Sequence, residues 1–297
     1  MKETQAQSPN VSEHAQLEKY IGVKHITEDV ITPTQVHRLS LTLNRKSPLP
    51  QTGQVVPWGW HFIFFPRIIR TDQLSPDGLS AEFEGCPDSP LPKRMFVGNN
   101  LKFHEPLRIG DHATKTIHIK SVNPKNGRSG KLVFVTFAID ITGPRGLVLE
   151  DEHMMVFKDD GPSESPASTQ ASIFTPPKSA WVRTLTLDEV TLFRYSAVTF
   201  NPHRIHYDQP YAVNQENYSG LVVQGGLTSL LLLELLHDHW KDQPHDMDSY
   251  TMRAKAPLFA NQTITLSGQP SHDGLSCQLW ASNAQGQLAM EIVVKFK

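Results

Sequence analysis

The chain of 297 residues is long enough for two domains, and its formal charge of −2 gives no broad basic face of the kind that binds nucleic acid. Hydrophobic residues make up 38% of it, which is enough to build real cores. Cys86 and Cys277 lie far apart, so we expect a reducing compartment and no disulfide framework. The polar, acid-containing first residues resemble neither a signal peptide nor a mitochondrial transit peptide, so we expect a cytoplasmic protein that does not enter a membrane.

The first half of the chain is predicted to contain two helices, an aromatic run and a strand meander. Residues 17–31 have helical character, and residues 34–43 resemble a second short helix. The aromatic run from Trp58 to Phe65 lies where the central helix of this half would begin. Turn signals separate the β-rich segments that follow, which predicts an antiparallel meander with strands at 94–103, 113–122, 132–142 and 148–158 and turns at 123–127 and 143–146.

A stretch rich in Ser and Pro, residues 161–177, predicts a linker between domains at 1–160 and 178–297. After it, residues 185–194 resemble a strand. A second meander is then expected, with strands at 250–257, 263–270, 276–284 and 288–297. The two halves repeat weakly, and each is predicted to be one helix wrapped by a curved antiparallel sheet.

The most informative segment runs from residue 195 to residue 236. It contains Gly225 and Gly226 followed by an almost wholly apolar run, which is too short to span a bilayer and predicts a buried helix. The free N–H groups and positive dipole at its start could form an oxyanion hole, because glycines let a ligand oxygen approach closely. His206, nearby in sequence, is suited to acid–base chemistry at neutral pH. The alternative is a helix whose glycines only permit close packing, beside a surface loop with histidines.

The run FNPHRIH at residues 200–206, followed by Asp208, resembles the motif of the MaoC-like hydratases of the hotdog fold. The motif histidine falls on His206 and the motif aspartate on Asn201, and the usual His-Gly turn into the helix is Gln224-Gly225. Further segments resemble a subgroup that contains type 2 hydroxyacyl-thioester dehydratases and mesaconyl-C4-CoA or itaconyl-CoA hydratases. These segments are NPHRIHYD, GLVVQG, WGWHFIFFPR and LPKRMFVGNNLKFHEPLRIGD.

The resemblance implies an α+β fold of two tandem hotdogs, with one working site in the second half and a first half that shapes the acyl or CoA cleft. The implied reaction is reversible addition of water across the double bond of an enoyl thioester, with no metal or redox cofactor and with coenzyme A as part of the substrate. His206 would take the proton of the water, and the Gly225 N–H would stabilise the enolate-like charge. Asn201 cannot take up a proton but could hold the water through its amide.

Other residues are expected to bind the substrate. Arg204 would bind a substrate carboxylate, or alternatively pair with Asp208 or bind a CoA phosphate. Arg94 would meet CoA phosphates, with a solvated position beside Lys93 as the alternative. The remaining candidates for substrate binding are His203, Tyr207, Asp208, Gln224, Gly226, Trp58 and Trp60. For the two tryptophans, the alternative is a position in the core. The histidines at 237, 239 and 245 lack the spacing of a metal site, so no metal is expected.

These observations favour a hydratase of a short, branched, dicarboxyl enoyl-CoA. A 3-hydroxyacyl-thioester dehydratase of fatty acid synthesis is the alternative enzyme. A non-catalytic acyl-thioester-binding protein and a hotdog thioesterase are alternatives of other classes. The expected partner is an acyl-CoA thioester, without nucleic acid or membrane, and exposed sheet edges suggest a homodimer.

Overall fold

The computed structural model describes residues 17–46, 48–80, 82, 91, 93–127, 130–158, 178–240 and 246–297. The predicted linker at 161–177, Cys86 and His245 lie outside these residues. The strands are β1 (His25–Val30), β2 (Lys93–Phe103), β3 (His112–Gly127), β4 (Gly130–Gly143), β5 (Gly146–Lys158), β6 (Trp181–Thr186), β7 (Met247–Ala254), β8 (Thr263–Pro270), β9 (Ser276–Ser282) and β10 (Leu288–Phe296). The α-helices are α1 (Pro33–Thr42), α2 (Glu189–Thr199), α3 (Gln209–Asn214) and α4 (Gly225–Trp240).

These strands form one sheet, and its two halves have the same strand arrangement. From one outer edge inward the order is β1-β3-β4-β5-β2, and from the other edge it is β6-β8-β9-β10-β7. The halves join where β2 pairs with β7 in antiparallel register, from Gly98↔Arg253 to Lys102↔Ser249. The observed arrangement confirms the predicted α+β architecture with two repeated halves.

Helix α4 is the buried helix predicted from the apolar run. Leu227, Leu230, Leu232 and Leu236 are all fully buried in it. It packs against β8, β9 and β10 of the second half. Burying a leucine side chain stabilises the fold by about 1.5–3 kcal/mol relative to leaving it exposed, so this helix and the curved sheet around it account for much of the core.

The first half lacks the expected equivalent of α4 among its described residues. The aromatic run forms only a single 3-10 turn, Trp60–Ile63, after which Phe65 adopts a positive φ of 57° and Pro66 follows. Helix α4 occupies the space beside this turn, since a Cβ on Gly59 would lie 2.5 Å from Leu233 Cδ1. One long helix therefore packs against residues of both halves, and the aromatic run is not the start of a central helix of the first half as predicted.

Three other segment predictions also need correction. Of residues 17–31, the structure makes only Leu17 and Glu18 helical and then forms the edge strand β1, because Gly22 adopts a left-handed φ of 79° and the chain then pairs with β3. The predicted turn at 123–127 belongs to β3, which pairs with β4 as far as Gly127↔Gly130. β1 pairs only with residues 112–117 of β3, so β3 is an edge strand at Pro124, which is where a sheet tolerates proline.

The predicted strand at 185–194 is mostly helix. Strand β6 ends at Thr186, and α2 begins at Glu189 because the Asp188 side chain accepts a hydrogen bond from Thr191 N at 2.8 Å. Aspartate is among the residues that best cap a helix N-terminus. None of the helices in the described ranges is both long and apolar enough to cross a bilayer.

Candidate active site

A cleft of about 1020 Å³ lies between the start of β2, the end of α2 and the first turn of α4. Most of the predicted site residues line it although they come from distant parts of the chain. These are Arg94, Asn201, His203, His206, Tyr207, Gln224, Gly225 and Gly226. The four that do not line it are Trp58, Trp60, Arg204 and Asp208.

His206 is held by the segment that leads into α4. Its Nδ1 lies 2.7 Å from the carbonyl oxygen of Val222, and Val222 N donates to Ile205 O at 3.0 Å. A carbonyl oxygen only accepts hydrogen bonds, so Nδ1 carries the proton and Nε2 keeps its lone pair. Burial lowers the pKa of His206 to about 4, against the opposing effect of the bond to Val222. The ring is therefore a neutral base at pH 7, with Nε2 as the nitrogen available to the cleft.

His203 is a second neutral imidazole beside the first. The ring centroids of His203 and His206 are 5.4 Å apart, and the rings meet edge to face. The pKa of His203 is lowered to about 3, mainly by burial and also by the charges of His206 and Arg94. The sequence indicated a substrate contact here, and the structure places this ring in the cleft beside the predicted base.

Asn201 turns the chain from α2 into the loop that carries the histidines. Phe200 ends α2 with a left-handed φ of 52°, and Asn201 N donates to Ser196 O at 2.8 Å. Asn201 Oδ1 accepts from His203 N at 3.1 Å. The amide oxygen is thus used inside the loop, and the amide NH₂ is the group with which Asn201 can donate to a water or to a substrate oxygen.

The two glycines at the start of α4 differ in their surroundings. A Cβ on Gly226 would lie 2.6 Å from Tyr195 Oη, so close packing requires glycine there. A Cβ on Gly225 would lie 3.7 Å from Phe96 Cδ1 and 3.9 Å from Met290 Cε, which are ordinary contacts. Close packing therefore explains Gly226 but not Gly225, whose N–H lies at the positive end of the helix in the cleft wall.

Gln224 links α2 to α4. Its Nε2 donates to Leu192 O at 2.9 Å and to Ser196 Oγ at 2.9 Å. The side chain lines the cleft, but its amide nitrogen is engaged within the protein. Tyr207 also lines the cleft, where its hydroxyl donates to Pro202 O at 3.1 Å.

Arg204 and Asp208 form an ion pair outside the cleft. Arg204 Nη2 and Nε lie 2.7 and 3.0 Å from Asp208 Oδ2, and Nη1 donates to Pro76 O at 2.9 Å. The guanidinium stacks 4.0 Å from the centroid of the Tyr211 ring. Asp208 also caps α3 by accepting from Tyr211 N at 3.1 Å. The geometry favours the alternative in which Arg204 pairs with Asp208 rather than with a substrate carboxylate.

The two tryptophans lie elsewhere. Trp60 is buried in the core, and its Nε1 donates to Glu234 Oε1 at 3.0 Å. Trp58 lines a separate cavity of about 320 Å³, together with His61. The core alternative therefore describes Trp60, and neither indole reaches the cleft.

Charges in the cleft favour an anionic ligand. Arg94 donates from Nη2 to Ser80 O at 2.8 Å, and burial lowers its pKa while Asp77 raises it. The basic residues of the wall outnumber the acidic ones Asp77 and Glu216; they are Arg67, Lys93, Arg94, Lys158 and Lys255. Within the described ranges, no group of three or more His, Cys, Asp or Glu could hold a metal ion.

Sequence reasoning missed several residues of this site. Val222 orients His206 through its backbone carbonyl, and a backbone acceptor leaves no signal in the residue type. Phe96 and Tyr195 form the surroundings of the two glycines. Tyr195 stands at the head of the segment singled out from the sequence, so only its packing against Gly226 was unforeseen.

Comparison with known proteins identifies relatives along most of the chain. Residues 59–260 match the family model described as hydroxyacyl-thioester dehydratase type 2. A mesaconyl-C(4)-CoA hydratase of Chloroflexus aurantiacus is 36% identical over 93% of this chain and 96% of its own. The mitochondrial hydroxyacyl-thioester dehydratase type 2 of Schizosaccharomyces pombe is 24% identical over 83% of this chain and 90% of its own.

Solved structures show the same fold. A MaoC-like dehydratase matches with a TM-score of 0.70 at 14% identity, over 94% of this chain and 99% of its own. A Mycobacterium tuberculosis protein described as having a double hotdog fold matches with a TM-score of 0.60 at 10% identity, over 92% of this chain and 95% of its own. The ten-stranded sheet with two repeated halves is thus a double hotdog.

Proposed function

Because the chain belongs to the hydroxyacyl-thioester dehydratase type 2 family of MaoC-like double-hotdog hydro-lyases, we propose that it adds water reversibly across the double bond of a short dicarboxyl enoyl-CoA thioester of the itaconyl or mesaconyl-C4 type. The observation that carries the proposal is the neutral His206. Its Nδ1 is fixed on Val222 O, and it shares the cleft with the N-terminus of α4 at Gly225. A base and an oxyanion-stabilising group are what hydration of an enoyl thioester requires.

In the proposed mechanism the thioester carbonyl oxygen accepts a hydrogen bond from Gly225 N–H, which draws electrons from the alkene. The Asn201 amide donates to the attacking water, and His206 Nε2 removes a proton from it as its oxygen bonds to C3. The enolate-like charge that develops on the carbonyl oxygen is stabilised by the helix N-terminus. The imidazolium then returns the proton to C2, which completes the addition of one water.

This mechanism uses a single titrating group. Asn201 cannot hold a proton, and Asp208 is bound to Arg204 outside the cleft. A protonated His206 is costly in this buried site, and this cost favours the return of the proton to C2. His206 activates the water that attacks C3 and returns the proton to C2 from the same side of the alkene. The addition is therefore syn.

The dicarboxyl substrate is supported by two observations. The basic residues in the cleft suit a substrate with negative charge beyond that of coenzyme A. The relative from Chloroflexus aurantiacus, at 36% identity, is named as a mesaconyl-C(4)-CoA hydratase. We further propose the domain division at 1–160 and 178–297, a cytoplasmic location and a homodimer that uses an exposed sheet edge; size-exclusion chromatography with light scattering tests the dimer.

A 3-hydroxyacyl-thioester dehydratase of fatty acid metabolism is the second candidate. It is favoured by the family name and by apolar side chains of the cleft wall, such as Phe62, Phe193 and Leu258. A non-catalytic acyl-thioester-binding protein is the candidate of another class, because Asn201 replaces the aspartate of the resembled motif.

One assay separates these candidates. Purified protein is mixed with itaconyl-CoA, mesaconyl-C4-CoA or crotonyl-CoA, and the enoyl-thioester absorbance is followed. The masses of the products are measured by mass spectrometry. We expect the gain of one water on a dicarboxyl thioester. Fast hydration of crotonyl-CoA alone would favour the fatty-acyl dehydratase, release of free CoA would indicate a thioesterase, and no turnover of any of them would favour the binding protein.

A further inference from the structure

Arg94 places a guanidinium close to the reacting centre of the cleft. It is on the same strand as Phe96, whose ring borders Gly225 at the helix N-terminus. Residues two apart on a strand point to the same face and are spaced by roughly 6–7 Å. Arg94 and Phe96 therefore lie on the same face of β2, and both line the cleft into which Gly225 opens.

The electrostatics give an independent indication of the same position. The positive charge of Arg94 contributes to the lowered pKa of His203, after burial and the charge of His206, so the guanidinium is near His203. An arginine stays charged at any working pH. Its Nη2 bond to Ser80 O at 2.8 Å fixes the group in the wall between the loop and β2.

We propose that Arg94, rather than Arg204, binds the second carboxylate of the substrate and thereby selects dicarboxyl enoyl thioesters. This inference rests on the proposed hydratase function. A guanidinium and a carboxylate fit each other through two parallel N–H···O bonds. A short dicarboxyl thioester carries its second carboxylate on or next to the alkene. Contacts at Gly225 and Arg94 would then hold the alkene from both ends beside His206, which is the kind of positioning that speeds a reaction.

The test compares Arg94→Gln with wild type, using mesaconyl-C4-CoA and crotonyl-CoA. Crotonyl-CoA has the same thioester and CoA group without the second carboxylate. We expect the ratio of the kcat/KM values for the two thioesters to fall by about 10- to 100-fold, the range for a lost charged hydrogen bond. Arg94→Lys keeps the charge without the fork and should lose less. Arg183→Gln, which removes a partly exposed arginine of β6 that pairs with Asp238 of α4, should leave the ratio unchanged.

A second arm separates a substrate carboxylate from a CoA phosphate. N-acetylcysteamine thioesters of the same two acids lack the phosphates, so the loss of selectivity in Arg94→Gln should persist with them. An equal loss on both CoA thioesters that disappears with the N-acetylcysteamine thioesters would assign Arg94 to a phosphate and overturn the inference. The inference would also be overturned if the wild-type protein hydrates dicarboxyl thioesters and Arg94→Gln keeps the wild-type selectivity. A wild-type protein that hydrates only crotonyl-CoA would instead overturn the proposed function itself.

Discussion

The Nδ1 atom of His206 lies 2.7 Å from the carbonyl oxygen of Val222, in the segment that immediately precedes α4. The backbone N–H of Val222 returns a bond to Ile205 O at 3.0 Å, so the loop and the helix entry are joined twice. This pairing sets both the tautomer of the base and its distance from the helix N-terminus. One segment of backbone therefore positions both the proposed base, His206, and the proposed oxyanion-stabilising N–H of Gly225.

The rate should respond to pH at a lower value than that of an ordinary histidine. Burial lowers the pKa of His206 to about 4, so its base form persists well below pH 6.5. We expect kcat/KM to fall as the pH drops through about 4, because this parameter reports the free enzyme. A profile of initial rates against pH measures this, and a midpoint near 6.5 would contradict the buried, neutral base.

Stability should also depend on pH through the buried histidines. The folded-state pKa values of His61, His203 and His206 are about 4, 3 and 4, below the value of about 6.5 for an unfolded histidine. Between these values the unfolded chain binds more protons than the folded one. The contribution of these histidines to the free energy of unfolding should therefore be fully present above a pH of about 6.5 and be lost as the pH falls toward 4. Urea titrations across this window measure the slope, which should be smaller in His206→Gln.

The glycines at the start of α4 should respond differently to alanine. Gly226→Ala would meet Tyr195 Oη at 2.6 Å, and such overpacking typically costs about 1–3 kcal/mol of stability. Gly225→Ala should keep the stability but crowd the carbonyl oxygen, with a loss of kcat of up to about 10²–10³-fold. Thermal melts and initial rates of both variants measure the difference. Tyr195→Phe in the Gly226→Ala background should recover part of the lost stability. Full activity of Gly225→Ala would contradict a close approach of the carbonyl oxygen to residue 225.

Arg204 should matter for the loop and not for the choice of substrate. Arg204→Gln breaks the partly exposed pair with Asp208, so we expect a small loss of stability. Activity on mesaconyl-C4-CoA and crotonyl-CoA should fall in the same proportion. A double-mutant cycle with Asp208→Asn measures the pair, and a selective loss on the dicarboxyl thioester would return Arg204 to a role in substrate binding.

Glu234 joins the aromatic run of the first half to α4. It accepts from Trp60 Nε1 at 3.0 Å and forms an ion pair with Arg45, whose guanidinium lies 5.0 Å from the centroid of the Trp60 ring. Glu234→Leu leaves the buried indole N–H without its acceptor and should cost about 2–4 kcal/mol. Glu234→Gln keeps an acceptor and should cost less. Urea unfolding measures both, and equal stabilities of the two variants would contradict a role for the hydrogen bond.

The sequence predicted the elements whose pattern is strong along the chain. The apolar run after Gly225 predicts a buried helix, and α4 spans this run. The strand predicted at 263–270 coincides with β8. Asn201 and His206 belong to one short, continuous motif and both line the cleft. Their shared location could therefore be predicted from their spacing in the sequence.

Other features depend on contacts between distant segments. Residues 25–30 form a strand only because β3 offers an edge, and polar residues at an edge strand leave little periodicity to detect. The sequence contains the capping residue Asp188, but the segment around it, which includes β-branched residues, was predicted as a strand. For Arg204 the residue type suggested anion binding, and only the structure could decide between a substrate and Asp208.

The single-base mechanism is tested most directly by the turnover of His206→Ala on mesaconyl-C4-CoA. The control is His272→Ala, which removes an exposed histidine from the turn after β8. We expect His206→Ala to lose about 10²–10⁴-fold in kcat while remaining folded, because the proposed mechanism makes His206 the group that removes the proton of the water. The control should match wild type. A folded His206→Ala protein that keeps most of its turnover would contradict the mechanism.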